Sequence, residues 1–63
     1  MIVMEMKVSR INNQGDRVLL FDNLGYHVIA PVDVKVTVGD IIECEPVGVN
    51  FGWYKGVKSL QSL

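Results

Sequence analysis

The chain is predicted to be all-β, its short strands forming a five-stranded closed or nearly closed barrel. Three observations lead there. Apolar and polar residues alternate with the period of two that half-buried strands require. No window keeps the i, i+3, i+4, i+7 apolar spacing of a capped helix. Turn-forming Asn, Asp, Gly and Pro punctuate the chain at short intervals. With 63 residues the chain is too short for a two-sheet sandwich. At 49% hydrophobic and only 21% charged, it also needs a closure that hides its strand edges.

Each element follows in order. Residues 3–11, VMEMKVSRI, form a first strand with Met4, Met6 and Val8 on one face and Glu5, Lys7 and Ser9 on the other. NNQGD (12–16) is a turn, and RVLLFD (17–22) a second strand. NLG (23–25) is a tight hairpin in which Gly25 supplies the positive φ. YHVIAPV (26–32) is the third strand, ended by Pro31, which has no N–H for a ladder. DVKVTV (33–38) alternates but runs into a Gly39-Asp40 turn, and is read as an extended connection. DIIECEP (40–46) is the fourth strand, with Ile42 and Cys44 inward and Glu43 and Glu45 outward. VGVNFG (47–52) is a loop, and WYKGVK (53–58) the fifth strand, with a bulge at Gly56. One domain spans 1–63, with 59–63 as a frayed tail.

Two small barrels fit this order, the OB type and the SH3-like type. The long first strand, the hairpin joining strands two and three, and the irregular connection before Gly39-Asp40 favour the OB type. Strand parity sets the faces. Leu19, Phe21, Val28 and Ala30 are expected inward, leaving Val18, Leu20 and Ile29 as an outward aliphatic surface unless the 59–63 tail covers them. Trp53 shares parity with Val57 and is expected to plug the barrel, with Tyr54 outward beside Lys58. Phe51, in the loop, can cap the barrel or stack on a ligand.

The run RVLLFDNLGYHVIAPVDVKVTVGDIIECEP resembles the OB barrels of translation initiation factor one and its RNA-binding ribosomal-protein relatives. Asp22-Asn23 with Gly25, Val28 to Ala30, and Gly39-Asp40 leading into Ile41 to Pro46 carry the resemblance, over roughly residues 3–58. It implies an OB fold and RNA binding. The chain departs from those factors at VDVKVT, where they carry a basic loop with a short helical turn.

Composition narrows the function. Six basic and seven acidic residues give a net charge of −1, so attraction to nucleic acid requires a local basic patch. One Cys and one His allow neither an internal disulfide nor a four-ligand zinc site, and a reducing, cytoplasmic setting fits. The N-terminus lacks the basic start and apolar run of a signal peptide, and no membrane partner is expected. His27 has no nucleophile or acid partner at a motif spacing, and Cys44 is expected to be buried and inert. Asp40, Glu43 and Glu45 read as a solvated acidic edge. The chain is therefore expected to be no enzyme and to hold no metal or cofactor.

The leading expectation is a binder of single-stranded nucleic acid with little sequence preference. OB barrels bind across strands two and three, between the one-two and four-five loops. Arg10 and Arg17 flank the first of these loops, while Phe51, Tyr54, Lys55 and Lys58 belong to or follow the second. Cations for phosphates and rings for bases are what single strands need. The rival expectation is a protein-interaction module, a homo-oligomer or an accessory subunit, using Val18, Leu20 and Ile29.

Overall fold

The computed structural model describes residues 2–58. It contains β1 (Met4–Lys7), β2 (Arg10–Asn13), β3 (Val18–Phe21), β4 (His27–Ala30), β5 (Ile41–Pro46) and β6 (Phe51–Val57). They form one six-stranded sheet in the order β1-β5-β6-β4-β3-β2. Every neighbouring pair is antiparallel except β4 and β6, which are parallel.

The edge strands β1 and β2 are consecutive in the chain, separated by Val8 and Ser9 alone. A sheet whose two edges are joined by so short a link has to curl. The result is a curled half-barrel of six strands: barrel-like, as expected of a closed or nearly closed barrel, but neither five-stranded nor closed. The difference arises where the expected first strand is broken. The Val8 N–H donates to the Asp40 carbonyl at 2.9 Å, and the Val8 carbonyl accepts from Gly39 at 2.8 Å. The next N–H, that of Ser9, donates to Phe21 on the opposite side at 2.6 Å. The backbone thus changes partners within two residues.

Turn chemistry holds the strand ends. Asp22 Oδ1 accepts from the N–H groups of Leu24 and Tyr26, both at 2.9 Å, and Gly25 takes φ 91°. Between β2 and β3, Asn13 Oδ1 accepts from the Gly15 N–H at 2.9 Å. Residues 33–38 contain no strand, as the sequence predicted. β4 stops at Ala30 and β5 starts at Ile41, so Pro31, Val32 and Asp40 lie outside the strands expected to hold them. Val34 and Val36 of this connection pack against the core. Among the described residues, no helix is long and apolar enough to cross a membrane. The tail expected to fray, 59–63, lies outside the described residues.

The core is aliphatic: Met6, Val8, Val18, Leu20, Val28, Ala30, Ile42 and Cys44 are buried on the inner face. Met4, Tyr26, Tyr54 and Val57 pack against them half-buried. Ile42 and Cys44 point inward as expected, and no polar residue among those described is fully buried.

Two parity expectations are overturned. In the β3–β4 hairpin Val18 opposes Ala30, and Leu20 opposes Val28. Opposed residues share a face, so Val18 and Leu20 lie in the core with Val28 and Ala30, while Leu19, Phe21 and Ile29 lie outside. In β6 the ladder with β5 runs Ile42–Val57, Glu43–Gly56 and then Cys44–Tyr54, passing over Lys55. A bulge was expected at Gly56; the extra residue is its neighbour Lys55, and it reverses the parity across itself. Tyr54 and Val57 therefore share the inner face, and Trp53 does not plug the barrel but stands outside, 48% exposed.

Candidate functional site

The outer face of β2, β3, β4 and β6 collects the remaining rings. Register aligns Arg10 with Phe21, Phe21 with His27, and His27 with Phe51, one residue per strand. The Arg10 guanidinium lies over the Phe21 ring, 4.1 Å from its centroid. The Phe21 and His27 rings are 5.6 Å apart and tilted, and the His27 and Phe51 rings 5.8 Å apart and stacked at 17°. Phe51 meets Gly48 on its far side, where an added Cβ would lie 2.6 Å from Phe51 Cε1. This row is packed upon itself, so its ring faces are largely occupied.

A second row runs alongside: Asn12, Leu19, Ile29, Trp53 and Glu45, aligned in that order across five strands. Leu19 and Ile29 form a half-buried aliphatic floor, and Trp53 stands beside it with much of its indole in solvent. Trp53 is therefore the ring on this face best able to accept a flat partner. Lys55 Nζ lies 3.4 Å from Glu45 Oε1, with both groups partly exposed. Such a pair contributes little to stability, about 0–1 kcal/mol.

The sequence-predicted contacts divide accordingly. Arg10, Phe51 and Lys55 lie on or beside this face. Arg17 immediately precedes β3, with the parity of Leu19 and Phe21, and its Nε donates to Gln14 Oε1 at 3.2 Å. Tyr54 faces the core instead, and burial followed by the Asp40 carboxylate pushes its phenol pKa up. Lys58 pairs with Glu5 at 3.6 Å, on the β1 side of the sheet. The two expected jaws do not converge. Because β4 and β6 run parallel, their first residues lie together, and the His27 N–H donates to the Asn50 carbonyl at 2.9 Å. The 47–50 loop therefore sits beside the 22–26 turn, whereas Gly15 and Arg17 lie past the opposite end of β3. This shared end carries the exposed aliphatics Leu24, Val47 and Val49.

Sequence reasoning missed Phe21, His27 and Trp53 as members of one face. For Phe21 a signal was present. The Asp22 N–H donates to the Tyr26 carbonyl at 3.0 Å, and that turn pairs residue 21 with 27 and 20 with 28. An inward Val28 therefore requires an inward Leu20. The alignment of His27 with Phe51 depends on a parallel pairing that no local pattern encodes.

Cys44 is fully buried, and burial pushes its thiol pKa up, which disfavours the reactive thiolate. Among the described residues, no group of three His, Cys, Asp or Glu side chains is placed to hold a metal ion. The chain matches no protein-family model, no curated protein and no solved structure.

Proposed function

We propose that this protein is an OB-type barrel that binds single-stranded nucleic acid on the outer face of β2, β3, β4 and β6. The strand order supports the fold half of this reading. If β1 and β2 are taken as halves of one bent strand, the chain has an antiparallel three-strand meander, a parallel pairing of its third and fifth strands, and a fourth strand returning to the first. That is the arrangement of OB barrels, and it agrees with the resemblance to initiation factor one and its ribosomal relatives.

One observation carries the function: a half-exposed Trp53 on a sheet face bordered by Arg10, Arg17 and Lys55. A base stacked on such a ring contributes about 1–3 kcal/mol whatever its identity, and cations along the face take the phosphates. Binding, rather than catalysis, is the work of this face, and it needs no cofactor. Trp53 is the chain's only tryptophan, so its fluorescence reports directly on stacking. Titration with short oligonucleotides at about 50 mM salt should quench it, with affinity falling as salt rises. Absence of binding, or binding indifferent to salt, would overturn the proposal.

A second reading, contact with a protein partner or another copy of the chain, is favoured by Leu24 and Val49, which are 92% and 94% exposed at the same end of the sheet. It no longer rests on Val18 and Leu20, which are core residues; of that set only Ile29 lies outside. Light scattering of wild type beside a Leu24→Ser, Val49→Ser double variant tests it. A monomer in both cases counts against self-association.

A further inference from the structure

We propose that the site prefers guanine and that Glu45 is the residue that reads it. This rests on the single-stranded nucleic-acid reading above and adds the base that the site takes. Glu45 and Trp53 oppose each other in the β5–β6 ladder with their side chains on the outer face. Opposed residues in an antiparallel pair hold their Cβ atoms about 4.5–5.5 Å apart. A base lying on the Trp53 indole therefore brings its edge within reach of the Glu45 carboxylate.

The backbone that carries this carboxylate is fixed in place. Pro46 follows Glu45 and confines its backbone to extended conformations. The Glu45 carbonyl is also packed against Gly52, where an added Cβ would meet the oxygen at 2.5 Å. Lys55 lies 3.4 Å from Oε1, leaving Oε2 outside this contact.

An ionised carboxylate can only accept hydrogen bonds. Guanine alone among the common bases presents two adjacent donors on its pairing edge, N1–H and the N2 amino group. Adenine and cytosine set one amino group beside a ring acceptor, whose lone pair faces a carboxylate unfavourably. Uracil and thymine place one imino donor between two carbonyls. Glu45 therefore matches guanine twice and each of the others at most once. A site recognising phosphates alone would gain nothing from a carboxylate beside its stacking ring. Lys55 offsets that negative charge, and donor recognition gives it a use.

The test follows Trp53 fluorescence at low salt and neutral pH with three oligonucleotides: a thymidine hexamer, the same hexamer with one central guanine, and one with hypoxanthine there. Hypoxanthine keeps N1–H and lacks the N2 amino group. The guanine hexamer should bind about tenfold tighter than the thymidine hexamer, the scale of discrimination a good bidentate contact provides. Hypoxanthine should fall between them. In Glu45→Gln the guanine-to-thymine ratio should collapse to about one, while affinity for the thymidine hexamer rises because a negative charge has been removed. Equal affinities in the wild type, or a guanine gain retained in Glu45→Gln, overturn the guanine preference and leave the binding function standing. No binding of any hexamer overturns both.

Discussion

Leu19 and Leu20 are consecutive on β3, yet they belong to different surfaces. Leu20 lies at zero exposure among Val18, Val28 and Ile42, and Leu19 lies half-buried on the outer face in the row of Ile29 and Trp53. The two faces of the sheet use different chemistry throughout. The inner face is filled by aliphatics, two methionines and a cysteine, with Tyr26 and Tyr54 at its margin. The outer face holds Phe21, His27, Phe51 and Trp53. Aliphatics suffice to fill this small core, so the rings outside are not required as plugs. Three of them recover some stability by packing on one another, about 0.5–1.5 kcal/mol per pair. Trp53 has no such compensation, which is why the proposed binding surface centres on it.

The largest expected effects come from breaking the inner face. Leu20→Ala should cost about 2–5 kcal/mol by urea denaturation, the usual range for a cavity at a fully buried leucine. Leu19→Ala, one residue away, should cost under about 1 kcal/mol, since it leaves no enclosed cavity. Equal costs would dissolve the distinction between the faces. Gly52→Ala belongs with the large effects. Its Cβ would lie 2.5 Å from the Glu45 carbonyl oxygen and 2.6 Å from the Tyr26 hydroxyl, so the β5–β6 ladder has to shift. Overpacking of this kind costs about 1–3 kcal/mol or more.

Breaking the outer face should leave the fold intact and remove binding. Trp53→Ala should lower oligonucleotide affinity about tenfold, read by anisotropy of a labelled strand, because a stacked base contributes about 1–3 kcal/mol. Its unfolding midpoint should move little, since the indole is already half in solvent. A variant that loses stability but keeps its affinity would make Trp53 a structural residue after all.

The faces were only partly legible in the sequence. Local alternation correctly placed Ile42 and Cys44 inside, because both lie on the uninterrupted β5, and it put Met6 and Val8 on one face, which holds because the break in the first strand comes only at Val8. It failed at β3, where the face follows from the partner strand: Leu20 is inside because it opposes Val28. It failed again at Trp53, where a bulge was expected but its reversal of parity was not carried through. The proposed binding face was less legible than the core for the same reason. Arg10, Phe21, His27 and Phe51 are dispersed along the sequence, and only cross-strand register assembles them.

The inner face should also set the response to alkali. Burial pushes up the pKa of the Tyr26 phenol, with the neighbouring Cys44 adding to the effect. Burial likewise raises Cys44, and raises Tyr54 together with Asp40. The folded state therefore favours the neutral forms of all three. That stability is present in full below the ordinary values of 9.0 for cysteine and 10.0 for tyrosine, and is lost as pH rises through the raised values in the fold. Melting temperature should fall from about pH 9 upward, and a Cys44→Ala variant should begin its decline later. A decline that starts at the same pH in that variant would remove Cys44 from the account.

The smallest expected effect makes the sharpest distinction within the core. The Tyr26 hydroxyl is buried without a nitrogen or oxygen hydrogen-bond partner, against Gly52 and beside Cys44. The Cys44 thiol, a weak partner, offsets little of the hydration this group has lost. Tyr26→Phe keeps the ring that packs on the core and removes the oxygen. Stability should stay level or rise by up to about 1 kcal/mol, since the cost of that lost hydration disappears. The same change relieves the crowding at Gly52, so the Gly52→Ala penalty should be smaller in a Tyr26→Phe background than in the wild type. A double-mutant cycle measures that difference. If the two penalties are equal, the clash with the Glu45 carbonyl alone requires glycine at position 52. If the penalty shrinks, the Tyr26 hydroxyl shares in that requirement.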